Sequence, residues 1–182
     1  SLTSTPTITD LNISAVIPVV PSLTDISVVE SSIIAPTFIA PVMGELDFSD
    51  TNNWISSEED SEMLTARVNE INTKIQEHQA RLQESVSVFQ KENTIMQKDL
   101  QIALTNAQLS SEDDNKSLQK YSAEVQSYAS LVQTEVQEYQ INLESDLRVW
   151  ENERNNELQK YQLDMQNSLN VFNKENTEYQ AK

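Results

Sequence analysis

Val125-Gln126-Ser127-Tyr128-Ala129-Ser130-Leu131-Val132-Gln133-Thr134-Glu135-Val136-Gln137-Glu138-Tyr139 is the stretch that decides the fold. Its apolar residues are separated by steps of three and four, and the pattern closes after eleven residues instead of seven. Working outward, aromatic residues stand at Tyr128, Tyr139, Trp150, Tyr161 and Phe172, each eleven from the last. A second row with that spacing holds Val125, Val136, Leu147, Leu158 and Leu169; a third holds Tyr121, Val132, Leu143, Arg154, Met165 and Asn176. Steps of 4, 4 and 3 keep one helix face apolar. Eleven residues over three turns is about 3.67 per turn, so the seam runs nearly straight or slightly right-handed. A seven-residue repeat would impose a left-handed supercoil instead.

Toward the N-terminus the same period is expected in weaker form. Leu64, Ile75 and Val86 make one row, Ile71, Leu82, Asn93 and Leu104 another, and His78, Phe89 and Leu100 a third. The two stretches are also related as sequence. Val88-Phe89-Gln90-Lys91-Glu92-Asn93-Thr94 is matched by Val171-Phe172-Asn173-Lys174-Glu175-Asn176-Thr177. The offset between them is not a multiple of eleven, so something in between must absorb a phase difference. The segment Leu109-Ser110-Ser111-Glu112-Asp113-Asp114-Asn115 is the candidate, because Ser, Asp and Asn compete with helical backbone bonds and favour caps. Ser111 with Asp114 resembles a capping box. Two outcomes fit: a helical hairpin, or one long helix with a stutter or kink. The second is favoured, since neither Gly nor Pro stops the first helix.

Composition shows where the helical part begins. From Ser56 to Lys182 there is neither Pro nor Gly, and every Gln lies after Ile75, among Glu, Leu, Ala and Lys. These are good helix formers. Ser56-Ser57-Glu58-Glu59-Asp60 offers a capping box with acids in the first turn. Residues 1–55 differ in kind. They hold all five Pro, the single Gly44, six acids and no Lys or Arg, with β-branched runs at Ile13–Val20, Ile26–Val29 and Ile33–Val42. Pro recurs too often for a helix and removes ladder donors from a central strand. The segment is expected to be an extended arm lying on another protein, adding strands to an exposed sheet edge. The expected fold is therefore all-α: an extended Pro-containing N-terminal arm (1–55), a first coiled-coil helix (56–109), a stutter, kink or turn (110–115) and a second coiled-coil helix (116–182).

The same numbers exclude function classes. One Gly in 182 residues cannot serve a fold that turns often, so a compact multi-turn enzyme is not expected. A formal charge of −17 opposes nucleic-acid binding, which draws on Lys and Arg. No Cys means no disulfide framework and no thiolate site. No membrane association is expected: no stretch reaches the roughly 18 apolar residues of a span, and no signal peptide is visible. No Ser/His/Asp triad, phosphate loop or carboxylate cleft is recognisable, so no catalytic residue, cofactor or metal is expected.

The expected coiled-coil core is Ile75, Leu82, Val86, Phe89, Leu100, Val125, Tyr128, Val132, Val136, Tyr139, Leu143, Leu147, Trp150, Leu158, Tyr161, Met165, Leu169 and Phe172. His78 reads as a packed core residue, not a metal ligand. Asn93 and Asn176, four residues beyond Phe89 and Phe172, read as register-setting. Arg154 fits either a register-setting charge or a side chain that snorkels outward. Acids at 58–62 and 112–114 lack the Gly and spacing of a calcium loop and read as helix caps. Asn12-Ile13-Ser14 and Asn115-Lys116-Ser117 fit a glycosylation sequon, and Lys-Glu-Asn at 91–93 and 174–176 resembles a degradation signal; a structural origin explains them better.

The phrases Leu118-Gln119-Lys120-Tyr121-Ser122-Ala123-Glu124-Val125-Gln126, Thr134-Glu135-Val136-Gln137-Glu138-Tyr139-Gln140 and Leu158-Gln159-Lys160-Tyr161-Gln162 carry a resemblance. Over roughly residues 70–182 the chain resembles the Tyr/Gln/Glu-rich coiled-coil virion proteins of tailed bacteriophages, of the marine and cyanophage type. The resemblance implies a non-enzymatic fibre, whisker or collar component located in the virion. Its arm would be anchored to capsid, portal or tail. Bulky aromatics in consecutive layers need more room than a dimer gives, so a homotrimer is the expected self-association. Two alternatives stand beside it: an amphipathic helix on a lipid surface, which needs flanking Lys and Arg, and a capsid-assembly scaffold.

Overall fold

The computed structural model of the chain describes residues 6–23, 33–56, 61–110 and 112–181. Among these, three helices form and no strand: α1 (Thr51–Ser56), α2 (Ser61–Ser110) and α3 (Glu112–Gln180). The capping residues Ser57–Asp60, the run Ile26–Val29 and Ser111 lie outside the described residues. The all-α expectation with long helices holds. The two long helices have 50 and 69 residues. With a helical rise of about 1.5 Å per residue, they extend for roughly 75 Å and roughly 104 Å.

The chain divides into two compact units, each built from parts of α2, α3 and the N-terminal segment. One comprises Asp10–Met43 with Gln76–Ile141. Here the two helices pack antiparallel: His78 meets Tyr139, and eleven residues further on Phe89 meets Tyr128. The continuous or kinked helix favoured by the sequence is thus replaced by a hairpin. The reversal needs neither Gly nor Pro. Ala103 and Ala107 are fully buried beside Leu118 and Tyr121, and such small residues let two helices approach closely as they turn. Glu112, Asp113 and Asp114 then place carboxylates in the first turn of α3, where unpaired N–H groups favour negative charge.

In this unit the N-terminal segment lies against the helices. Its side chains alternate in short runs: Ile33 and Ala35 are buried around an exposed Ile34, and Phe38 is buried between exposed Thr37 and Ile39, with the phase shifting at Pro36, which is buried beside Ala35. Such runs are what an extended backbone produces. Ile33 and Ala35 join Met96, Leu100, Leu118, Tyr121 and Val125 in one core. Leu11 and Phe38 join Leu82, Phe89, Tyr128, Val132 and Val136 in another. Asp10 Oδ1 accepts a hydrogen bond from the Met43 amide at 2.8 Å, joining two distant points of the segment. The arm expected to lie on another protein thus has its inner face on its own helices.

The other unit comprises Ser1–Thr9, Gly44–Ile75 and Asn142–Lys182. Its core gathers Phe48, Trp54, Ile55, Leu64, Val68, Ile71, Ile75 and Trp150, with Leu147, Leu158 and Tyr161 packed against it. The boundary between arm and helix falls differently from the expected Ser56, because α1 already opens at Thr51. The Thr51 hydroxyl donates to the Phe48 carbonyl at 2.8 Å, and Arg67 reaches back to Asp47 at 3.5 Å and lies over the Trp54 ring at 5.6 Å. Ser49 donates from both side chain and backbone to Asp47, and these bonds, ahead of the nearby Arg67, hold that carboxyl below its ordinary pKa.

Candidate functional site

The expected core residues separate the covered faces of the helices from the open ones. Ile75, Leu82, Phe89, Leu100, Val125, Tyr128, Val132, Val136, Leu143 and Trp150 are buried. Val86, Tyr139, Leu147, Leu158 and Tyr161 are half-buried against the same clusters. Met165, Leu169 and Phe172 are exposed. Every member of the expected rows of α2 is covered: Leu64, Ile71, Ile75, His78, Leu82, Phe89 and Leu100 are buried, and Val86, Asn93 and Leu104 are half-buried. Val68, Met96, Ala103 and Ala107 are buried with them, so the covered face alternates steps of four and three with one extra step of four at Val86.

His78 is buried at 3 % exposure, its Nε2 2.8 Å from the Tyr139 hydroxyl and its ring edge-on to the phenol. Nδ1 has no protein partner. A neutral imidazole donating from Nε2 suits this, because a bare acceptor costs less than a bare N–H. Burial lowers the His78 pKa; the nearby Asp10 opposes the shift and Arg81 adds to it. Burial, then Asp10, raises that of Tyr139.

Asn93 also lies between the helices. Its Oδ1 is buried without a protein partner, and the residue helps to line a cavity of about 270 Å³ that also has amides on both helices, including Gln83, Gln90, Gln133 and Gln137. Asn176, its counterpart in the repeat, is exposed. Arg154 is half-buried with its guanidinium 5.1 Å above the Trp150 ring of its own helix. Burial lowers its pKa, with Glu151 opposing. It stacks where snorkelling or register-setting was the expectation.

Phe38, Phe48 and Ile33 are core residues that helix periodicity does not reveal, because they come from extended chain. Phe38 stands edge-on to Phe89 at 5.9 Å and Phe48 to Trp150 at 4.9 Å. Around Tyr128 and Trp150, two of the layers that suggested three copies, the space is occupied by Phe38, Phe89 and Phe48 of the same chain.

Among the described residues, Val16, Ile17, Val19 and Leu131 line one open apolar groove of about 660 Å³, and two more open apolar surfaces lie elsewhere. Ile34 and Ile39 of the N-terminal segment, with Val88 and Ile95 of α2, line a groove of about 650 Å³. The second is the end of α3, where every residue from Gln162 to Gln180 is exposed. Among the described residues, no three His, Asp or Glu side chains gather where they could hold a metal ion, and no helix is long and apolar enough to cross a membrane. Comparison with protein-family models, with curated proteins and with solved structures finds no match.

Proposed function

We propose that this chain is a non-enzymatic structural protein of a tailed-phage virion, a coiled-coil component of a fibre, whisker or collar. In this reading the N-terminal segment anchors it to capsid, portal or tail, and its helices carry the eleven-residue coiled-coil pattern. The observation that carries the reading is the groove of Ile34, Ile39, Val88 and Ile95. An extended segment whose inner face is already packed still presents β-branched apolar side chains outward, where a single folded chain gains nothing from them. Such a surface suits a fixed partner in an assembly. The Tyr/Gln/Glu-rich phrases of α3 supply the phage context.

The test is composition of the particle. Purified mature virions from the encoding phage should contain the protein at a fixed copy number by quantitative mass spectrometry. Ile34→Asp combined with Ile39→Asp should abolish incorporation while helical circular dichroism stays unchanged. Presence only in immature particles would assign the chain to scaffolding instead, and absence from both would end the virion reading.

A further inference from the structure

The end of α3 is exposed, yet its sequence is built like a covered helix. Val88–Thr94 on α2 and Val171–Thr177 on α3 agree at six of seven positions. In the first, valine points out and phenylalanine in: Val88 is 50 % exposed and Phe89 5 %. In the second, Val171 looks alike at 56 %, but Phe172 is 65 % exposed. Phe89 owes its cover to Tyr128 of α3 and to Phe38. Phe172 has no such neighbour among the described residues. The reason is one of length: Leu158 and Tyr161 are the last α3 residues packed against the cluster that Phe48, α1 and the start of α2 build. Met165, Leu169 and Phe172 continue the stripe beyond that cover. An open groove lined by Tyr161, Asp164, Met165, Ser168 and Leu169 marks the place.

We propose that residues 162–180 form a dimerisation face on which the same segment of a second copy lies antiparallel, in the position α2 holds earlier along α3. Three observations select this occupant. The internal repeat gives the tail an α2-type surface on an α3 helix, so each tail can serve the other as α2. The direction is that of the α2–α3 packing already present. Seating Phe172 against Met165 of the other copy also sets Asn176 opposite Tyr161 and Leu169 beside Ser168 at the two-fold axis, so the stripe covers itself. Parallel tails would instead bring the starts of both α2 helices, which occupy the same face of α3, into the axis. A lipid surface is the poorer fit. Residues 162–180 hold Asp164, Glu175 and Glu178 against Lys174 alone, whereas anionic lipid calls for basic flanks.

Sedimentation equilibrium of the full chain should give a dimer. Leu169→Lys with Phe172→Glu should weaken it by about tenfold or more without loss of helical circular dichroism, since both side chains are exposed in the single chain. The chain has no cysteine, so single introduced thiols report the geometry directly. Ser168→Cys should oxidise to a self-linked dimer, while Met165→Cys should link only when mixed with Phe172→Cys. Four results overturn the proposal: a stoichiometry other than two, a double variant that stays dimeric, Met165→Cys linking to itself, or flotation of the protein with phosphatidylglycerol vesicles.

Discussion

Leu82 and Leu169 are the same residue type in the same kind of apolar stripe, and the structure gives them opposite weight. Leu82 has no exposed surface, so Leu82→Ala removes packed methyl groups and leaves a cavity, costing about 2–5 kcal/mol. Leu169→Ala, at a position 58 % exposed within one chain, should stay within about 0.5 kcal/mol when unfolding is measured at concentrations where the chain is monomeric. Urea titrations of both variants check the contrast. His78 gives the residue scale its pH dependence. Its folded pKa is lowered by burial, so the unfolded chain takes up the proton first as pH falls. Its contribution is therefore fully present above about pH 6.5 and declines as pH drops below that value. The groups facing it are Tyr139, Asp10 and Arg81. His78→Gln loses the buried bond to Tyr139, costing about 1 kcal/mol at neutral pH. The stability gap between wild type and variant should narrow when unfolding is repeated near pH 5.5; a gap that widens would show that the charged imidazole is the favoured form.

At the scale of elements, the helices are legible in the sequence and their partners are not. Spacing records which face of a helix is covered, so Phe89, Tyr128, Val132 and Trp150 can be found from periodicity alone. It does not record what covers that face. An extended segment that supplies Phe38 and Phe48 satisfies the same stripe as a neighbouring subunit would, which is why the aromatic layers pointed to three copies. The hairpin is hidden for a related reason: the closing residues are Ala103 and Ala107, ordinary helix formers whose effect depends on what lies opposite. Asn93 stands in the stripe as expected, but only the fold reveals the cavity that it lines together with amides of both helices. If the N-terminal segment is part of the core, Phe38→Ala should cost about 3 kcal/mol or more. It should also speed thermolysin cutting before the Ile, Val and Ala residues of 33–43 relative to the helices. Unchanged stability would mean that the segment merely rests on the hairpin.

The molecule as a whole carries −17, and association of two copies brings that charge together. The tails proposed to pair also place Asp164 and Glu175 along one flank of the stripe. Repulsion between exposed charges is screened by salt, with a Debye length of about 10 Å at 0.1 M. Dimerisation should therefore tighten as ionic strength rises, read as a shift of the sedimentation isotherm to lower protein concentration. Loosening with salt would point to attraction between opposite charges, and with it to a different surface.

Phe38 and Tyr128, joined by a long 3.5 Å contact between the Phe38 amide and the phenol oxygen, are 90 residues apart in the chain. Synthesis proceeds at roughly 5–20 residues per second, so roughly 5–20 s separate the appearance of the two. During that interval Phe38 can meet Phe89, and Ile33 and Ala35 can meet Met96 and Leu100, but the α3 side of each cluster is still missing. Burial of the segment is thus completed only by residues made long after it. A ribosome paused before residue 128 would hold a nascent chain whose β-branched segment is open to chaperones, or to the same segment on a neighbouring ribosome.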